Sequence, residues 1–429
     1  MVRPPKSRDL CLRCKGARNL CGKARCPILM KKSAIMPMKK ILLKNEKEMQ
    51  GASPPAFFVG RYGYPKVSVG PMIPPHEANL DENISLLDEP DDWFGRSVDE
   101  IINYRTNLIR STFKIPHVKN ILINNRLLDI SQEIVMSGKP VDTEVSFIKA
   151  PRVARIELDS HSQPFGPLGR VEKVVLTENP RVEKIVEKTI GDTDFKASNA
   201  MVELYKEDQS ITKIQRILSA GLLGIGKNRK LVPTRWSITA TDDTISKNLI
   251  EKIKFFSEVD KYLLFQDKYL GNNFKILIIP REWRFENLEV WISSLWMQET
   301  GRKPIIMADY EPFKGRKTYA SNVTGAYYAA RLGVCEYLYK IKKQGAVIVF
   351  REVNEDYIIP LGVWVIRETV RSAMNKQPVI FENLNSALNY INNSDFRLPL
   401  KAWEKKSKLL KFIKRQKRLI DYFNIKKIK

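Results

Sequence analysis

Four of the five cysteines fall within sixteen residues, at Cys11, Cys14, Cys21 and Cys26. The spacing C-x2-C-x6-C-x4-C puts two thiolates on one tight turn and supplies a second pair, the donor set of a tetrahedral four-sulfur site. Four thiols packed this closely seldom stay free, and disulfides are rare in a reducing cytosol. Structural Zn2+ is the expected occupant, with an iron–sulfur cluster as the rival that the same donors would serve. Arg13, Lys15, Arg18, Lys23 and Arg25 interleave the ligands. The module is therefore expected to turn a basic surface toward phosphates.

A second constellation lies at the other end, in QKRLIDYF at 416–423. Gln416, Leu419, Tyr422 and Phe423 satisfy Q-x-x-[LIM]-x-x-[FY]-[FY], the peptide that plugs into a sliding clamp. One helical turn would bring Leu419, Tyr422 and Phe423 to a single face, with Gln416 free to hydrogen-bond beside the pocket.

The middle of the chain holds weaker signals. GRYGYPKVSVGP sets Arg61, Tyr62 and Tyr64 between glycines, suited to stacking a base or holding a phosphate, and equally to a tight strand edge. GLLGIGKN at 221–228 imitates a phosphate-binding loop, but Asn228 replaces the metal-binding hydroxyl and the preceding ITKIQRILSA reads as helix. Lys227 and Arg229 remain candidates for anion contact. In LVPTRWSITATDDTIS, Arg235 and Trp236 are expected in an extended stretch. Asp242 and Asp243 are expected either to hold a divalent metal or to cap a helix starting near Ile245. A pocket built from Arg61, Tyr62, Tyr64, Gln163, Lys227, Arg229, Arg235 and Trp236 would take a nucleotide or phosphate. Only three histidines are present, His76, His117 and His161, so imidazole acid–base chemistry has little support.

The elements that must position these residues read as α+β: a mixed sheet core with flanking helices, a small N-terminal zinc module, and a C-terminal helix with an exposed tail. Expected helices cover 97–110 (with Ser97 and Glu100 spaced as a capping box), 119–135, 197–219, 245–258, 325–344, and from about 366 and 400. Expected strands include 144–160, 171–177, 274–279, 288–296 and AVIVFREV at 346–353. Cys335 falls in a helical pattern as a core thiol. The expected division is a cysteine module at 1–33, a core at 34–300, a second subdomain at 301–400 and a basic tail at 401–429.

Charge supports this layout. Of the net +25, residues 1–33 supply ten Lys/Arg against one acid, and residues 401–429 twelve against two. Basicity gathered at both ends points to a polyanion, and DNA is the expected partner. No run reaches the length of a membrane span and the start lacks a signal-peptide core, so a soluble cytoplasmic protein, nucleoid-associated when on DNA, is expected.

Five blocks carry a resemblance: SPPAFFVGRYGYPKVSVGP (53–71), SQPFGPLG (162–169), NPRVEKIVEKTIGDTDFKA (179–197), LVPTRWSITATDDTIS (231–246) and PREWRFENLEVW (280–291). In this order the chain resembles the archaeal Nre DNA-repair family from about residue 50 to 370. The resemblance implies a role in repairing damaged DNA and docking on the sliding clamp PCNA through a C-terminal peptide, here Gln416, Leu419, Tyr422 and Phe423. It also suits an N-terminal cysteine module, and it implies no catalytic residues. A nucleotide- or nucleic-acid-acting enzyme remains the alternative reading.

Overall fold

The computed structural model describes residues 11, 13–20, 25–75, 84–119, 125–153, 163–292 and 304–416. The chain divides into two units, one formed by Met1–Ile245 with Ile358–Trp364 and the other by Ser246–Tyr357 with Val365–Lys429. Both are mixed α+β, as expected.

In the first unit the elements are α1 (Pro27–Leu42), β1 (Glu48–Ser53), β2 (Phe57–Val59), β3 (Val67–Ile73), α2 (Val98–Thr106), β4 (Ile109–Ile115), α3 (Arg126–Met136), β5 (Val141–Phe147), β6 (Leu168–Leu176), α4 (Lys184–Gly191), α5 (Ala197–Lys206), α6 (Ile211–Ser219) and α7 (Thr234–Ile253), the last continuing past Ile245. Six strands make one sheet in the order β1-β5-β6-β4-β3-β2, antiparallel except at β4/β6. Ile35 and Met38 of α1 pack with Ile109, Ile134, Val145, Phe147 and Val174 into its core. The Lys- and Met-rich segment that follows the cysteines is thus helical, because Ile28, Met30, Ile35 and Met38 recur on its buried side.

The capping box forms as read: Ser97 Oγ accepts from Glu100 N, and Glu100 Oε2 accepts from Ser97 N. Leu108–Arg110 do not continue that helix, since β4 begins at Ile109. The helix expected over 197–219 is broken into α5 and α6, where Asp208 takes a positive φ of 58° and Ser210 caps the next turn through Lys213 N.

The larger correction concerns α7. It begins at Thr234, eleven residues before the expected start, so Arg235 and Trp236 are helical and Asp242 and Asp243 lie mid-helix. Trp236 N and Ser237 N both donate to Pro233 O, at 2.7 and 3.0 Å. Threonines at 234, 239, 241 and 244 give the stretch the texture of a strand. Yet Ser237, Thr241, Ile245, Leu249 and Ile253, spaced by four, are all buried. The helical period is carried by small polar residues that a hydrophobicity pattern does not register.

The second unit contains β7 (Ser257–Glu258), β8 (Tyr262–Tyr269), β9 (Asn272–Ile279), β10 (Arg284–Trp291), β11 (Met307–Glu311), α8 (Gly325–Lys340), β12 (Lys343–Gln344), β13 (Ala346–Val353), α9 (Trp364–Met374, whose first residue still belongs to the first unit), β14 (Val379–Phe381), α10 (Leu384–Asn392), α11 (Leu400–Lys406) and α12 (Lys408–Arg415). Its sheet runs β11-β10-β13-β9-β8-β14, with β10/β13 the parallel pair. One face packs Leu264, Leu277, Leu288, Ile348 and Phe350 against Leu388, Trp403 and Leu409. β9, β10 and β13 are buried almost throughout, on both faces. β8 went unseen in the sequence, its buried residues being few and its end polar. Cys335 is fully buried in α8, and that burial holds its thiol far above the ordinary range. Among the described residues no helix is long and apolar enough to cross a membrane.

Candidate functional site

The cysteine module begins with a short helical turn. Lys15 N donates to Cys11 O (2.8 Å) and Ala17 N to Cys14 O (2.9 Å), and the chain then reverses through positive φ at Lys15 and Gly16. Backbone amides, Leu20 foremost and then Arg18, Gly16 and Asn19, donate to the Cys14 thiol and hold it below the ordinary thiol range. Cys11 and Cys14 are buried. Cys26, the N-cap residue of α1, puts its Sγ 3.6 Å from where a Cβ on Gly16 would stand. Amide donors converging on a cysteine sulfur fit a thiolate metal ligand. Among the described residues, however, no three His, Cys, Asp or Glu side chains converge at metal-binding range, and Cys21 lies outside the described residues, as does Lys23. Arg13, Lys15 and Arg18 are exposed. Arg25 Nη2 instead donates to both carboxylate oxygens of Asp99 in the first turn of α2, at 2.6 and 2.7 Å.

The central candidates partly come together. Arg61, Tyr62 and Tyr64 occupy the tip of the β2–β3 hairpin, closed by Lys66 N to Gly63 O (2.9 Å) and Gly60 N to Ser68 O (2.8 Å). The Tyr64 and Trp236 rings meet at 4.9 Å between centroids, tilted by 60°. The Arg61 guanidinium lies 4.8 Å from the Tyr62 ring centre and also reaches Tyr62 OH at 3.2 Å. The start of α7 is pinned beside the hairpin by Val59 N donating to Thr234 Oγ1 at 2.9 Å. Arg235 and Trp236 are therefore presented together with Arg61, Tyr62 and Tyr64.

The other candidates do not join them. Arg229 donates to Gly224 O, Ile190 O and Asp192 O, which ties its own loop down. Lys227 is exposed on the adjoining one-turn helix Gly226–Asn228. The residues in front of that loop form the helix α6, as expected, where a nucleoside-triphosphate loop would follow a strand. Gln163 Oε1 accepts from Arg105 Nη1 at 3.4 Å, and Arg105 Nη2 is spent on Leu361 O. Asp242 is fully buried within α7. Its neighbour Asp243, about 100° further round the helix, is half-buried.

Two arrangements were not foreseen. Arg110 is sandwiched between Phe58 (5.7 Å) and Phe165 (4.7 Å), and burial lowers its pKa. The acidic run LDEPDDWFG is a clamp: Asp88 (3.4 Å) and Glu89 (3.0 Å) pair with buried Arg216, and Asp91 accepts from Thr212 N. Spacing alone held no sign of it, because its cation lies over a hundred residues downstream. Gln416, the last described residue, ends α12: its N–H donates to Phe412 O and its C=O accepts from Arg281 Nη2 at 3.1 Å. Leu419, Tyr422 and Phe423 lie outside the described residues.

The fold and these features define a two-unit α+β protein with a basic cysteine turn and an aromatic, cation-bearing hairpin end in its first unit. This chain belongs to the archaeal Nre family: the family's N-terminal model matches residues 20–297 and its C-terminal model residues 311–422. It is 37% identical over 401 residues to the DNA repair protein NreB of Archaeoglobus fulgidus, covering 94% of this chain and 97% of that one. It is 36% identical over 414 residues to the DNA repair protein NreA of the same organism (96% and 98%), and 35% identical over 345 residues to the DNA repair protein NreA of Haloferax volcanii (79% and 81%). No solved structure matches the chain.

Proposed function

We propose that this chain is a DNA-repair protein, brought to DNA by the sliding clamp PCNA through its 416–423 peptide and gripping DNA with a basic four-cysteine zinc module. The observation that carries the repair role is similarity along nearly the whole length of two relatives that bear that name. Recruitment is supported by the position of the clamp motif, which starts at Gln416 where α12 ends. From there the peptide can be offered without unravelling the packed unit. The zinc module is supported by the amide donors around Cys14 and by the approach of Cys26 to the same turn. Cys11, Cys14, Cys21 and Cys26 would hold the ion, whose part there is to fix the fold of a segment too small for a core of its own.

Calorimetric titration of PCNA with the full chain and with a chain ending at Arg415 tests the recruitment. Binding is expected for the first and none for the second, and equal binding overturns it. Metal analysis of the Cys11→Ser, Cys14→Ser protein is expected to show zinc lost; unchanged zinc content rejects the module.

A further inference from the structure

The end of the first unit's sheet gathers three distant stretches. Val118 N donates to Pro65 O (2.9 Å), Leu231 N donates to Val118 O (2.9 Å), and Tyr64 touches Trp236. Lys114 Nζ reaches Ser68 Oγ at 2.6 Å, beside the hairpin tip. The stretches meeting here, 57–75, 109–119 and 230–241, contain no aspartate or glutamate at all. They expose Arg61, Lys66, Lys114, Lys119, Lys230 and Arg235. Among the described residues none of these six pairs with a carboxylate, although surface cations elsewhere in the unit do, such as Arg25 with Asp99 and Arg96 with Glu100.

Within this cationic field stand aromatic rings that the fold leaves uncovered. Tyr62 is 83% exposed, Trp236 45% and Tyr64 42%. A tyrosine this bare contributes almost nothing to a core. The Tyr64–Trp236 contact and the hydrogen bond from Val59 to Thr234 fix where two of the rings stand. Fixed, exposed aromatic faces among unpaired cations suit a strand of unpaired nucleotides, whose bases stack while its phosphates meet lysine and arginine. A duplex keeps its bases stacked on each other and would leave the rings unused. An acidic peptide would use the charge but has no flat π-faces to offer.

We propose that this face, centred on Tyr62, Tyr64 and Trp236 with Arg61 and Arg235, binds single-stranded DNA. The proposal uses no residue of the cysteine module or of the clamp peptide, so it stands or falls independently of both.

The test is fluorescence anisotropy with the full-length protein and a labelled oligothymidylate of about 15 nucleotides, long enough for one such site. Tyr62→Ala together with Trp236→Ala is expected to weaken single-strand binding about ten-fold or more, as loss of base–aromatic stacking does. Duplex binding by the basic ends should be unchanged. Trp236→Phe, which keeps a ring, is expected to stay near the parent. Arg61→Glu with Arg235→Glu should weaken binding and flatten its salt dependence. Tyr62→Ala alone alters a residue outside the core, so its affinity is read without a folding defect. Three results overturn the proposal: single-strand affinity unchanged in the aromatic variant, equal losses on single strand and duplex, or displacement of the oligonucleotide by polyglutamate as readily as by unlabelled oligothymidylate.

Discussion

Val59 and Thr234, 175 positions apart in sequence, are joined by a single 2.9 Å hydrogen bond from the strand's amide to the threonine hydroxyl. That bond sets the first turn of α7 against the edge of the first sheet and so places Trp236 beside Tyr64. Thr234→Val keeps the shape but removes the acceptor, leaving a part-buried amide without its partner. A loss of about 1–2 kcal/mol in urea denaturation is expected, with weaker single-strand binding, and Thr234→Ser should restore both. Parent-like behaviour of Thr234→Val would show that Trp236 is placed by packing alone.

How far the sequence reveals such a contact depends on whether the signal is local. The Ser97 capping box, the α8 helix and β13 were legible because each carries its own pattern: paired polar groups three apart, or an unbroken apolar run. The start of α7 was not legible, since its buried positions are serine, threonine and aspartate, chosen for what surrounds them. The candidate site divides the same way. Arg61, Tyr62 and Tyr64 stand out between glycines, and Trp236 stands beside Arg235, but nothing local says that the two groups meet. The hydrogen bond from Val59 to Thr234, together with β3, the Val118 segment and Pro233, brings them together.

In the second unit, Glu311 is held at the centre of a buried polar cluster. Arg331 Nη1 approaches its Oε2 at 2.6 Å, Tyr327 OH donates to the same oxygen at 3.2 Å, and Trp283 Nε1 donates to Oε1 at 3.2 Å. Arg331 and Glu311 are 1% and 3% exposed. Arg331→Met strands a buried carboxylate and is expected to cost about 3–5 kcal/mol by denaturant titration. Adding Glu311→Met should recover a large part of that loss, because it removes the stranded charge. If the double variant is as unstable as the single one, the shape of the cluster matters more than its charge.

The Asp88–Arg216 clamp gives a pH dependence of defined sign. Burial pushes Asp88 up to about 6 despite the opposing pull of Arg216 and Arg105. The folded state therefore holds this proton more tightly than the unfolded chain does. Its contribution is fully present below about pH 4 and is lost as the pH rises through about 6. Asp88→Asn keeps an acceptor for Arg216 and abolishes the titration. The parent should lose about 2 kcal/mol relative to Asp88→Asn between pH 4 and 7, measured as the difference between their denaturant curves. Parallel curves across that range would mean that Asp88 titrates alike in both states.

Two glycines in the blocks that mark the family are fixed by backbone proximity. A Cβ on Gly70 of β3 would stand 1.8 Å from Ser111 O of β4, and one on Gly166 would stand 1.9 Å from Leu108 O. Both obstacles are main-chain atoms in or beside a strand, which cannot rotate aside as a flexible side chain would. Gly70→Ala must therefore part β3 from β4 next to the hairpin that carries Tyr62 and Tyr64. A loss of about 2–3 kcal/mol is expected, together with weaker single-strand binding. Gly191, at the end of α4, meets nothing within 4 Å. Gly191→Ala is expected to be neutral or to stabilise by up to about 1 kcal/mol, since it only restricts the unfolded chain. Thermal melts of the two variants measured side by side decide the matter: equal shifts would mean that β3 and β4 can separate freely at Gly70, and that the close approach does not hold the hairpin in place.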